Sequence, residues 1–186
     1  MPNMKQEFAD TLVDMLNETT LEKISIKDIV TRLGVSRQSF YYYFTDIYEI
    51  VEWIFLQETE KALNEYSDIN TWQFGYILLL KWVQNHKALV SNTYKSVQRE
   101  YIEHFMNRVL FQYIIKVVKD QSVNINVTDS QKEFVAKFYT LAINAISLEW
   151  IHNGMKDVPE DLAENVSILI RGDFQKALMN FQQENQ

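Results

Sequence analysis

Only four glycines and two prolines interrupt the 186 residues of this chain, and one of them, Pro2, stands in the N-terminal tail. With so few breakers, helices can run long. Apolar residues recur at helical spacing from the start. Phe8, Leu12, Met15 and Leu16 share one face while Glu7, Asp10, Asp14 and Glu18 lie mostly elsewhere, which predicts an amphipathic helix over about residues 4–18. The expected class is all-α. At 47% hydrophobic content the chain can bury a sizeable core in one or two domains.

Several function classes drop out on composition. The chain has no cysteine, so disulfides, thiolate metal sites and a cysteine nucleophile are excluded, as suits a reducing cytoplasm. The N-terminal stretch MPNMKQEFADTLVDMLNE carries acids throughout, and the apolar run YILLLKWV is short and broken by Lys81. Neither export nor a membrane span is expected. A net charge of −7 argues against DNA wrapped over the whole surface. The local balance differs: residues 23–44 hold Lys23, Lys27, Arg32 and Arg37 against Asp28 alone, a small basic face on an acidic molecule.

The punctuation of residues 25–46 is dense. SIKD has the form of a capping box, with Ser25 as N-cap and Asp28 at the third helical position, and the stripe Ile26, Ile29, Val30 and Leu33 follows. Gly34 sits where a left-handed residue ends a helix, and Ser36 can cap the next one through Phe40 and Phe44. Asp46 and Glu49 open a longer helix reaching about Tyr66. After a joint at SDINT, helices are predicted at about 71–84, 87–94, 96–119, 129–153 and 159–182. Gly154 marks one end, and Pro159 with Glu160 and Asp161 marks the last start. The polar, β-branched segment QSVNINV at 121–127 has the composition of a mobile connection.

Two short helices joined at Gly34 form a helix–turn–helix, whose second member fits the DNA major groove. On that member Arg37 and Gln38 are suited to read base edges, and Ser36 and Ser39 to add phosphate or base contacts. The run Tyr41, Tyr42, Tyr43 needs separate explanation. Consecutive helical residues point about 100° apart and cannot all face one core, so at least one phenol faces outward; on the helix–turn–helix reading Tyr41 and Tyr42 are assigned to phosphate and Phe40 and Phe44 to the core, with Tyr43 left open.

The run SIKDIVTRLGVSRQSFYYYFTDIYEIV resembles the N-terminal helix–turn–helix of TetR-family regulators over about residues 6–55, with Ser25, Ile29, Gly34, Val35, Ser36, Tyr41, Phe44 and Glu49 in place without gaps. The resemblance implies a three-helix DNA-binding domain at 1–46 and a C-terminal helical bundle at 47–186 for dimerisation and signal reception, with helix 47–66 connecting them. It further implies a cytoplasmic homodimer on a near-palindromic, double-stranded DNA operator, with a small-molecule effector or protein co-regulator and neither catalysis nor a cofactor. SRQSFYYYF together with EWIHNGMKD resembles the subgroup containing regulators of dihydroxyacetone kinase operons. One departure stands out. Where the family commonly carries a phosphate-binding lysine this chain has Ile47, which leaves Tyr41, Tyr42, Ser25, Lys27 and the amides around Asp46 to do more.

In the C-terminal half, Ala142, Ala145 and Ile146 would let a second helix approach closely, and Leu162, Val166, Leu169, Ile170 and Phe174 form a broad apolar stripe. Such stripes face either the chain's own core or a second copy, and the resemblance favours a four-helix dimer interface. Trp72, Phe74, Tyr76, Trp82, Tyr94, Tyr101, Phe105, Phe111, Tyr113, Phe138 and Tyr139 fit either a ligand cavity or ordinary packing. The alternative function is a metal-binding bundle or enzyme built on Glu149 and His152, although its Glu-x-x-His has no second copy. Glu100, Glu103 and His104 form a weaker cluster of the same kind.

Overall fold

The computed structural model describes residues 3–66, 70–94 and 99–184. Among them every regular element is helical: α1 Met4–Glu18, α2 Ile26–Leu33, α3 Arg37–Tyr43, α4 Ile47–Glu65, α5 Trp72–Asn85, α6 Lys87–Tyr94, α7 Arg99–Gln121, α8 Asp129–His152, α9 Pro159–Ile170 and α10 Asp173–Glu184, with a 3-10 turn at Leu21–Lys23. Most of the SDINT joint and the predicted start of the long helix at 96 fall on residues 67–69 and 95–98, outside the described residues.

Two hydrophobic cores organise the chain. In the first, Phe8 of α1 lies edge-on to Phe40 at 5.4 Å and to Phe44 at 6.0 Å. Leu12, Ile29, Ile50 and Val51 close around these rings. Offset and edge-on aromatic pairs favour such a site beyond the area they bury. The second core joins α5 and α7–α10, with α7 packed along α8.

The two cores meet on α4 and α6. Ile50, Val51 and Ile54 of α4 belong to the first core, and Phe55 packs against both. On α6, Leu89 enters the first core while Val90 and Tyr94 enter the second. The Asn92 side-chain amide also donates to the Leu16 carbonyl at 3.3 Å, tying α6 to the end of α1.

Two expectations are corrected. The predicted helix over 159–182 is two helices, because Gly172 adopts φ 80° between α9 and α10, a conformation cheap only without a Cβ. Val166, Ile170 and Phe174 are buried in the second core, with Leu162 packed at its edge. Val166 and Ile170 also line a groove between α8 and α9. The 121–127 connection is anchored, since Ile125 and Val127 pack on the second core and the Ser122 hydroxyl donates to the Lys119 carbonyl at 2.7 Å. Finally, α8 is long and apolar enough by length and composition to cross a membrane. Here it is instead the central helix of the second core, burying Val135, Ala136, Ile143 and Trp150.

Candidate nucleic-acid interface

Local chemistry shapes the helix–turn–helix. The Asp28 amide donates to Ser25 Oγ at 3.3 Å and the Ser25 amide donates to the Asp28 carboxylate at 2.9 Å, closing the capping box. The Ser25 hydroxyl also donates to that carboxylate, which holds Asp28 below the usual range. Ser25 therefore fixes the start of α2, and its proton is already engaged. At the other end Gly34 adopts φ 69°, and the Val35 amide reaches back to the Val30 carbonyl at 3.0 Å. The αL turn aims the chain into α3, where the Ser39 amide donates to Ser36 Oγ at 3.1 Å.

α3 then presents two chemically distinct faces. Phe40 and, just beyond the helix, Phe44 are sealed in the first core, while Arg37 and Gln38 are exposed, as are Tyr41 at 58% and Tyr42 at 81%. Ser36 and Lys27 are also exposed, and Ser39 is half-buried. Tyr43 is a packing residue, half-buried with its ring 6.2 Å from Phe8 and 4.8 Å from Tyr42.

The surrounding charges are redistributed by tertiary contacts. Arg32 makes a two-pronged contact with Glu18, at 3.0 and 2.7 Å, so its charge is matched within the protein. The pair holds the Glu18 carboxyl below its ordinary range, chiefly through the hydrogen bond from Arg32. Glu18 and Arg32 lie 14 residues apart, and no local sequence signal announces their pairing. At the start of α4 the Asp46 carboxylate accepts from the Glu49 amide at 2.9 Å. Glu49 in turn accepts from the amide and hydroxyl of Thr45 at 2.6 and 2.7 Å, which lowers its pKa, the amide contributing most. Two of the amides around Asp46 are thus engaged by the protein's own carboxylates. Ile47 is half-buried against the first core.

The second core holds a cavity of about 110 Å³ between α4, α5, α6, α7 and α8. Of the aromatic candidates, Tyr76, Trp82, Tyr94 and Phe105 line it, whereas Trp72 and Tyr113 line a smaller void of about 50 Å³. Phe111 and Tyr139 are packing residues, Phe74 and Phe138 are exposed, and the Tyr101 side chain lies outside the described residues. Tyr76 and Ser147 hydrogen-bond at 2.8 Å inside the protein, and burial pushes the Tyr76 phenol up to about 12.

On the outer face of the second core, Ala142, Ala145 and Leu169 are exposed, with Ile146 half-buried beside them. Phe138 at 61% and Leu169 at 68% flank a shallow groove of about 220 Å³ between α8 and α9. Phe134 and Leu141, which belong to the same helical-period pattern as Phe138 and Ala145, are exposed as well, as is Ile168. Glu149 and His152 are both exposed, and His152 lies edge-on to Tyr94 at 6.0 Å. Among the described residues no three His, Cys, Asp or Glu side chains converge as metal ligands.

Comparison with known proteins agrees with this arrangement. Residues 10–54 match the model for bacterial regulatory proteins of the tetR family, and residues 70–172 match that for a transcriptional regulator C-terminal region. The HTH-type dhaKLM operon transcriptional activator DhaS of Lactococcus lactis subsp. lactis (strain IL1403) is 28% identical over 160 residues, 82% of this chain and 84% of that protein. An uncharacterized HTH-type transcriptional regulator, YxbF of Bacillus subtilis (strain 168), is 26% identical over 88% of this chain but only 44% of its own length. The solved structure of a dihydroxyacetone kinase operon activator DhaS superposes with a TM-score of 0.71 at 26% identity, covering 92% of this chain and 96% of that one.

Proposed function

Since the chain belongs to the tetR family of bacterial regulatory proteins, we propose that it is a cytoplasmic, dimeric transcriptional regulator that binds a near-palindromic operator and receives its signal in the C-terminal half. Residues 1–46 form the DNA-binding domain in this reading, and 47–186 the regulatory and dimerisation domain. The observation that carries it is the division of α3 into a sealed aromatic face and an exposed face of Arg37, Gln38, Tyr41 and Tyr42. Arg37 and Gln38 read base edges, while Tyr41, Tyr42, Ser36, Ser39 and Lys27 hold phosphates. Ser25 contributes by fixing α2.

Dimerisation uses the exposed apolar face of α8 and α9, with Ala142 and Ala145 permitting close helix approach and Leu169 and Phe138 supplying contact area. It sets the two α3 helices about 34–36 Å apart, one turn of B-DNA. An effector between α4 and α6 would alter that separation, since both helices also belong to the first core. A protein co-regulator is the second reading, favoured by Phe74 and Leu78 exposed on α5. The DhaS relatives support a target in the dihydroxyacetone kinase class of operons.

Selection of bound sequences from a random DNA pool tests the reading. A palindrome with half-sites one helical turn apart is expected, and failure to enrich any would overturn it. Arg37→Ala should cost about 1–3 kcal/mol of discrimination at one base position. Tyr42→Phe should weaken binding by about 0.5–1.5 kcal/mol across all sequences alike.

A further inference from the structure

We propose that the cavity between α4, α5, α6, α7 and α8 receives a small uncharged alcohol of about four to six non-hydrogen atoms, apolar over most of its surface, whose hydroxyl meets the Asn144 side chain. This builds on the reading of the C-terminal half as a receiver of small molecules, and it specifies the chemistry.

Size sets the first limit. An apolar cavity of about 150 Å³ accommodates benzene, whereas drug-sized ligands need roughly 300 Å³ or more. At about 110 Å³ this cavity suits a molecule slightly smaller than benzene. Charge sets the second. Among the described lining residues Glu58 is the only one charged at neutral pH, and its carboxylate is matched by Lys61 at 2.6 Å. A charged ligand would lose its hydration here with no free counter-charge to replace it.

The third limit comes from α8. Thr140, Asn144 and Ser147 form a polar stripe on the buried face of this apolar helix. Thr140 and Ser147 satisfy themselves on their own helix, donating to the carbonyls of Ala136 and Ile143, each at 2.8 Å. Asn144 reaches across instead: one amide N–H goes to Asn107 at 2.8 Å, and among the described residues its side-chain oxygen has no hydrogen-bond partner. Among the described residues no fully enclosed side-chain polar atom lacks a partner. Asn144 itself is 5% exposed and is one of the residues lining the cavity, which puts its amide at the cavity wall. Folding alone does not call for an asparagine here, since an apolar side chain of similar volume would avoid burying an amide. A hydroxyl both donates and accepts, and serves the amide whichever way it is turned.

The test uses the full chain and probes of equal non-hydrogen count: pentan-1-ol, benzene, glycerol and butyrate. Binding is read by tryptophan fluorescence, with Trp82 in the cavity wall, and by the thermal midpoint, which a ligand of the native state raises saturably. Pentan-1-ol should bind saturably and more tightly than glycerol or butyrate. Asn144→Leu should weaken pentan-1-ol about fivefold, the loss of one hydrogen bond, without weakening benzene. Should Asn144→Leu fail to fold, Val83→Leu, which fills the same wall, should lower the affinity for pentan-1-ol and benzene together. Equal binding of all four probes, or saturable binding of none, would overturn the proposal. The operator reading is scored separately in the DNA selection, so absent alcohol binding alongside an enriched palindrome rejects this inference alone.

Discussion

The two cores of this molecule solve different problems with the same helical vocabulary. Around Phe8, Phe40 and Phe44 the first core leaves none of these rings more than 2% exposed, and a capping box, a left-handed glycine and a serine cap fix the helices that frame it. The second core is built from longer helices, yet it keeps a cavity of about 110 Å³, a buried Tyr76–Ser147 pair and an asparagine turned inward. Dense packing fixes α3 by its sealed phenylalanine face. Incomplete packing leaves a cavity beside α4 and α6, the helices that belong to both cores.

Mutations of graded severity can break or sharpen this contrast. Phe40→Ala should cost about 3–5 kcal/mol, because the close-packed first core cannot collapse around the missing ring; a thermal melt showing a loss near 1 kcal/mol would mean the core is looser than its geometry indicates. The second core should reveal itself in alkali. Tyr76 has a folded pKa of about 12 against an ordinary 10.0, so the unfolded chain gives up this proton first and stability falls as pH rises between those values. The effect is on the order of 2–3 kcal/mol, and it should be absent from the pH-dependent melts of Tyr76→Phe.

Matched enlargements compare the packing directly. Val51→Leu, in the first core at 0% exposure, should cost about 1–3 kcal/mol by overpacking, whereas Val83→Leu beside the cavity should change stability by less than about 1 kcal/mol. Equal penalties in denaturant titrations would erase the distinction. The smallest effect belongs to the α4 cap. Glu49 is held below its ordinary pKa by Thr45, so its contribution is present above the carboxylate range and is lost as pH falls through the folded value. Glu49→Gln should therefore cost about 0.5–1 kcal/mol at neutral pH, and the two proteins should converge in acid.

How much of this was legible in the sequence varies with distance along the chain. Ser25, Gly34, Ser36 and Asp46 act on amides within about a turn of themselves, and each cap stands where its residue type predicts. Gly172 carried the same kind of signal, but the apolar stripe running past it hid the break between α9 and α10. Val166, Ile170 and Phe174 show why: periodicity identifies an apolar face without saying what covers it.

The sequence by itself determined an all-helical chain, the helix–turn–helix, and the division of α3 between sealed phenylalanines and outward tyrosines, because these follow from period, capping and breaker chemistry acting over a few residues. Only the tertiary structure decided that Glu18 engages Arg32 and that Asn144 faces a cavity. Those outcomes depend on how helices distant in sequence approach one another. No local pattern encodes the volume left between them.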